Sequence, residues 1–453
     1  MGINKSILKL AVPSIIANIT VPLVGMADVA IAGHLNSDAA TLIGGIAIGS
    51  MLFDLLYWNF GFLRVGTGGL TAQAYGRGDR KECARILVRA LAMSMAIAAV
   101  LLAIQWIFVK AAFLVVDCSP EVRSLASRYF FIRIWAAPAT LSLMSLKGWF
   151  IGMQDSVSAM ICDITVNVVN IAMSIFLALG LTIGSTSILP SIGFPGIAAG
   201  TVTAQWTGLV TALSIVLFKY RRSTILHLDR KDLTSIFNGA ETRRFFSMNS
   251  NLFVRSLCFI AIYIGYTVIS ARYGDTLLAV SSILMKLLMI FSYFTDGFAY
   301  AGEALTGRFI GAEDKENVRE TIKWTFIWSM GLAFLFIGIY HFGGSALLHA
   351  MTSDESVIEV ARGYMPWLIL MPVVGCAAFT WDGIYIGATG SRQMRNSMLW
   401  SVVAFAAVYF SGVLILDSRQ GIHYEEIAMH FLMAAYFAHL LARTVYLTLK
   451  WKW

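Results

Sequence analysis

Long apolar stretches recur along the whole chain, and they constrain the fold more than any other feature. They fall at residues 6–34, 40–71, 86–116, 122–150, 156–182, 193–219, 246–271, 276–306, 318–345, 356–388, 395–416 and 425–449. Each is close to or longer than the roughly 20 residues an α-helix needs to cross a bilayer. Lipid offers no partner for backbone N–H and C=O groups, so such stretches must satisfy them internally, as helices. The chain therefore reads as an all-α polytopic membrane protein with twelve transmembrane helices. Composition agrees: 58% of the 453 residues are hydrophobic, 13% are charged and the mean hydropathy is +0.73. A soluble domain carries about a quarter charged residues. A soluble enzyme, a disordered chain and a large extramembrane part are excluded.

The positions of the basic residues explain the net charge of +8 without nucleic acid. The termini and even-numbered loops carry Lys5, Lys9, Arg77, Arg80, Lys81, Arg85, Arg308, Lys315, Arg319, Arg392, Arg395, Lys450 and Lys452. The central connection 220–245 and its approach add Lys219, Arg221, Arg222, Arg230, Lys231, Arg243 and Arg244. Odd-numbered loops offer Lys110, Arg123, Arg272 and Arg419. Basic residues stay on the cytoplasmic side, so both termini are expected there, with anionic lipid headgroups as partners of the central loop. The first apolar run, after Lys5 and Lys9, lacks a signal-peptide cleavage pattern and is expected to be a retained span. Cys83, Cys118, Cys162, Cys258 and Cys376 show no CxxC spacing and read as small packing residues.

An internal repeat is visible. Gly76-Arg77-Gly78-Asp79-Arg80 answers to Gly311-Ala312-Glu313-Asp314-Lys315, and Lys147 to Gly152 answers to Asp382 to Gly387. Both pairs are 235 positions apart (76 to 311, 147 to 382), as are Leu70-Thr71 and Leu305-Thr306. Each half holds six helices, an even number, so both start on the same side. This predicts two six-helix lobes, 1–225 and 246–453, joined by a cytoplasmic loop at 226–245. They would be parallel repeats related by a pseudo-two-fold axis along the membrane normal, with a cavity between them suited to alternating access.

No GxxxxGK[ST] nucleotide motif occurs, so energy is expected from an ion gradient or the substrate's own gradient. Gly66-Thr67-Gly68-Gly69 ends a helix and reads as close packing. The His residues form no HExxH pattern, and His430 and His439 read as ordinary polar neighbours. Intramembrane charges are more informative, since each costs about 2.5–3.5 kcal/mol at a helix centre. Asp28 stands out, within an apolar helix and six residues after Pro22. Proline leaves the carbonyl of Asn18 without its helical donor and permits a bend. A carboxylate in a low-dielectric wall is costly unless a proton or cation neutralises it. In the fifth helix Asn167, Asn170 and Ser174 share one face, and Thr201 in the sixth follows Gly193, Gly196 and Gly200. Interhelical hydrogen bonding is the rival role for these four. Asp54, Asn59, Arg64 and Arg133 in the first lobe, and Arg255, Lys286, Asp296, Glu303 and Asp382 in the second, are further candidates, most of them expected to pair with one another.

Several segments resemble one family. FLRVGTGGLTAQA from Phe62 to Ala74, GWFIGMQ from Gly148 to Gln154, FSYFTDGFAYAGEAL from Phe291 to Leu305 and DGIYIGAT from Asp382 to Thr389 resemble the DinF-like branch of the multidrug and toxic compound extrusion (MATE) transporters. The resemblance spans both lobes. It implies a two-lobed exporter that exchanges substrate for protons or sodium, with an acidic residue in the first helix. Asp28 matches that residue within Met26-Ala27-Asp28-Val29-Ala30. The family pattern places an Asn in the fifth helix followed four residues later by an Asp. Asn170 matches the Asn, but Ser174 stands in place of the Asp, and Thr201 resembles the sixth-helix threonine. Hard cations prefer charged oxygen ligands, so the substitution weakens a sodium site and leaves Asp28 as the main titrating group.

The expected function is a proton-coupled antiporter of amphipathic organic compounds, monomeric, in the plasma (inner) membrane. No cofactor beyond the coupling ion and no enzymatic activity are expected. Sodium coupling is one alternative, and a flippase for lipid-linked precursors is another. A flippase is disfavoured by the absence of additional helices and by basic residues that sit mostly in loops. A receptor or structural role is disfavoured by the tandem lobes.

Overall fold

The computed structural model describes residues 2–35, 39–114, 116, 118–183, 186–227, 236–417 and 424–452. Arg230, Lys231 and Arg419, used above to orient the chain, lie outside them. Among the described residues twelve helices are long and apolar enough to cross a membrane. They are α1 (Ile3–Gly33), α2 (Thr41–Gly76), α3 (Arg80–Ala112), α4 (Pro120–Gly152), α5 (Ser156–Leu179) and α6 (Phe194–Tyr220), then α7 (Ala240–Ala271), α8 (Asp275–Gly311), α9 (Lys315–Met351), α10 (Glu355–Gly387), α11 (Ser391–Leu416) and α12 (Tyr424–Lys450). All five cysteines are free.

Two local departures from expectation have simple causes. Among the described residues the strands are one antiparallel hairpin, β1 (Leu181–Ile183) and β2 (Thr186–Leu189), where helix was expected to run to residue 182. Gly180 takes φ 81°, a conformation that ends α5 and that glycine adopts without steric cost. The loop expected at 226–245 is shorter at its far end, because α7 already begins at Ala240.

Four helix ends share one device, which accounts for the sequence repeat. The N–H of Asp79 reaches the carbonyl of Ala74 at 3.0 Å and that of Gly78 reaches Tyr75 at 3.0 Å, a Schellman closure with Gly78 at φ 76°. At the offset of 235, Asp314 bonds Phe309 at 2.9 Å and Glu313 bonds Ile310 at 3.1 Å. After α4, Asp155 bonds Phe150 at 2.8 Å and Gln154 bonds Ile151 at 3.0 Å. After α10, Gly390 bonds Tyr385 at 2.8 Å and Thr389 bonds Ile386 at 2.9 Å. Gln154, Glu313 and Thr389 hold left-handed φ values of 64°, 59° and 54° without being glycine. The aspartates then cap the next helix: Asp79 accepts from Glu82 N, Asp314 from Asn317 N and Asp155 from Ser158 N. Burial alone would raise the pKa of Asp155, but hydrogen bonds from Lys219, Ser158 and Tyr220 hold its carboxyl below the ordinary 3.8. Those bonds tie the end of α6 to the start of α5.

The chain forms two compact units, Ile16–Phe245 and Met1–Ile15 with Phe246–Trp453, so their boundary falls inside α1. Within each unit the fourth helix of the repeat lies tight against the second through glycine. A Cβ on Gly148 would run into the carbonyl of Arg64, and one on Gly383 into that of Ala299, positions again 235 apart. Gly148→Ala and Gly383→Ala should each lower stability by about 1–3 kcal/mol, because backbone has to move. Gly363→Ala, with nothing within 4 Å of its added methyl, should be neutral or stabilising by about 0.5–1 kcal/mol. Thermal unfolding in detergent measures all three, and a harmless Gly148→Ala or Gly383→Ala would refute the close contact.

Candidate functional site

Ile16–Phe245 encloses a cavity of about 400 Å³ whose lining is unusually charged for a membrane bundle. Asp28, Asp54, Asp163, Arg133 and Lys147 line it, with Asn167, Asn170 and Thr201. Local irregularities in two helices border it. In α2 the helix stops at Trp58 and resumes at Phe62, with the Asn59 side chain bonded back to the carbonyl of Leu55 at 2.7 Å. In α4 the backbone tightens into a 3₁₀ turn at Ile134–Ala136, where Pro138 gives the carbonyl of Ile134 no N–H. Asp54 precedes the first irregularity and Arg133 the second. Helix α1 runs without a break through Pro22.

The polar groups are held in different ways. Asp28 is 6% exposed, and its Oδ1 is buried without a hydrogen-bond partner. The Ser174 hydroxyl faces the Asp28 carboxyl and also donates to the carbonyl of Ile197 at 3.3 Å. Asn170 Nδ2 donates to Thr201 Oγ1 at 3.0 Å, and Asn167 Nδ2 donates to Thr20 Oγ1 at 2.6 Å. Lys147 Nζ and Asp163 Oδ1 close on each other at 2.7 Å. Arg133 Nη1 donates to Tyr129 Oη at 3.1 Å, and its guanidinium lies 4.7 Å from the centroid of Phe53. Ser174 packs against α6 where Gly200 has no side chain, so the hydroxyl sits in a close helix crossing.

The structure thus brings Asp28, Asn167, Asn170, Thr201, Asp54 and Arg133 to one cavity, with Ser174 behind it. Asn59 and Arg64 do not line it. In the second unit Asp382 accepts from both Arg255 and Arg443, the latter also through Nε at 3.1 Å. Lys286 is exposed, Asp296 half-buried and Glu303 fully buried. His430 accepts from Trp367 Nε1 at 2.9 Å, and the buried His439 ring lies 4.4 Å from that of Tyr436. The sequence reading passes over Lys147 as a charge, and over Asp163 and Arg443. All three stand inside apolar segments, so the criterion that singles out Asp28 applies to them equally.

Fold and site together define a polytopic helical membrane protein of two repeated lobes, one of which holds a charged cavity. Residues 13–176 and 252–410 match the MatE family model, and the chain belongs to that family, the MATE transporters, in its DinF-like branch. It is 33% identical to the DNA damage-inducible protein F of Escherichia coli (strain K12) over 405 residues, 89% of this chain and 84% of that one. It is 24% identical over 404 residues, 87% of this chain and 84% of the other, to a protein named probable multidrug resistance protein NorM from Photorhabdus laumondii. The solved outward-facing conformation of a multidrug resistance MATE family transporter of the MOP superfamily superposes with a TM-score of 0.80. That match covers 100% of this chain and 98% of the other at 16% identity, and it bears on the fold alone.

The two charge clusters should respond differently to truncation. Asp382→Ala strands Arg443, which is 2% exposed, and Arg255, and should cost about 3–5 kcal/mol. Lys147→Ala leaves Asp163 in a cavity wall where the pair is about a quarter exposed, and should cost about 1 kcal/mol or less. Thermal unfolding of the two variants checks this. Equal losses would contradict the difference in desolvation.

Proposed function

We propose that the protein is a secondary active antiporter that exports amphipathic organic compounds in exchange for protons, by alternating access. The observation that supports this best is Asp28, a buried carboxyl with one unpartnered oxygen in the wall of a charged cavity. A carboxylate in that position needs a proton or a cation. On this reading Asp28 takes a proton in the outward-facing state, α1 bends near Pro22, and the cavity releases its substrate. The inward-facing state returns the proton to the cytoplasm. A proton moving down roughly 100 mV and one pH unit yields about 3.7 kcal/mol, enough for a gradient of about 500-fold in a neutral compound. The substrate class rests on the NorM relative's name. No covalent chemistry is assigned. Three carboxylates against two cations in the cavity speak against a pyrophosphate-bearing lipid, with its several negative charges and no basic group to offset them, as cargo.

Proton rather than sodium coupling rests on Ser174. Its hydroxyl carries no charge to balance a cation, and Asn170 and Thr201 are neutral as well. Asp28→Asn should abolish proton-driven export in proteoliposomes while the protein remains folded and inserted. Wild-type export at fixed pH should be indifferent to sodium, and Ser174→Asp should confer sodium dependence or alter the pH profile. Sodium stimulation of the wild type that disappears in Asp28→Asn would overturn the proton assignment.

On this reading the protein works as a monomer in the inner membrane, and its distribution of Lys and Arg supports cytoplasmic termini. Single cysteines in the 220–245 connection should label from the cytoplasm, and those at 183–192 from outside. Labelling of both from one side would break the twelve-helix topology.

A further inference from the structure

We propose that Arg133 sets the charge class of the substrate, its guanidinium binding an acidic group on an amphipath whose basic group faces Asp54 and Asp28. The acidic group is a carboxylate, sulfonate or phosphate, and the cargo is zwitterionic rather than simply cationic. The proposal rests on the cavity being the export site.

The charges of the cavity carry the argument. Five charged side chains line it: Asp28, Asp54, Asp163, Arg133 and Lys147. Lys147 and Asp163 neutralise each other at 2.7 Å. Arg133 remains, with Asp28 and Asp54 in electrostatic reach but, among the described residues, joined to neither by an ion pair. Aromatic side chains hold it instead. Its guanidinium lies 4.7 Å from the Phe53 centroid and 5.6 Å from that of Tyr129, and its Nη1 donates to the Tyr129 hydroxyl at 3.1 Å. The 3₁₀ turn at Ile134–Ala136 begins at the next residue and fixes where the side chain leaves the helix. A guanidinium has five N–H donors in a rigid plane, so this anchoring leaves a fork for the cavity. That fork matches the two oxygens of a carboxylate or phosphate.

Pairing, rather than net charge, selects the ligand. Substrate loads while Asp28 is ionised, so the cavity offers two carboxylates, Asp28 and Asp54, to a basic group and the Arg133 fork to an acidic one. An amphipath bearing both kinds of group engages both, whereas a purely cationic one leaves the fork unused.

The test uses a xanthene dye that carries a free carboxylate beside its cationic amine, and the methyl ester of the same dye. Binding to purified full-length protein in nanodiscs, without a gradient, is read by fluorescence anisotropy. The wild type should bind the free acid more tightly than the ester. Arg133→Gln should weaken the acid roughly 10- to 100-fold and the ester by less than about threefold. Arg133→Lys, which keeps the charge but not the fork, should fall between. Retained ester binding shows that each variant is folded, and thermal unfolding supplies a second check. Equal weakening of both dyes, or no change in either, would overturn the role of Arg133. A wild type that binds neither dye would overturn the export reading itself.

Discussion

A charge inside a helical membrane bundle must find its counterpart within that bundle, because lipid supplies none. Each ionisable group in the spans meets this constraint in its own way. Lys147 and Asp163 meet it by pairing, and Asp382 by receiving two arginines. Arg133 uses aromatic faces and a phenol. Asp28 keeps one oxygen that is buried without a hydrogen-bond partner. On the proposed reading, a buried carboxyl with an unpartnered oxygen is a group whose state a mobile proton can change, whereas Asp382 is held by two arginines.

The two lobes share backbone devices and differ in side-chain chemistry. Schellman ends and glycine crossings recur at the offset of 235, because they solve the same problem of closing and packing helices. Lys147 corresponds to Asp382, so the same position anchors an ion pair of opposite sign in each lobe. The cavity residues have apolar or aromatic counterparts: Arg133 corresponds to Leu368, Asp163 to Met398, Asn170 to Phe405 and Ser174 to Tyr409. All four counterparts are buried in the hydrophobic core of the second lobe. One lobe thus keeps a charged cavity, while the matching positions in the other are filled.

This asymmetry explains how far the sequence could be read. Helix number follows from apolar length, and the repeat follows from glycines and aspartates that only a few backbone conformations tolerate. Asp28, Asn170 and Thr201 were legible because polar groups in apolar helices are few and the family resemblance marks them. The pairing of Asp382 with Arg443 was not, since the partners lie 61 residues apart and nothing in spacing brings α10 to α12. The β1–β2 hairpin escaped notice because Leu181, Thr182 and Ile183 continue the apolar run of α5, and only the glycine before them marks the change.

The irregular backbone of the first lobe is the remaining piece. Helix α2 breaks at residues 59–61 and α4 tightens at Ile134–Ala136, while their counterparts α8 and α10 run without interruption. Both irregularities adjoin residues that line the cavity, Asp54 and Arg133. Non-helical backbone at membrane depth is tolerated where it is buried in protein or lines a water-filled space. Asn59 and Pro138 stand at these interruptions, one bonding back to the carbonyl of Leu55 and the other withholding an N–H from Ile134. Asp54 and Arg133, in the regular helix just before each irregularity, line the same cavity.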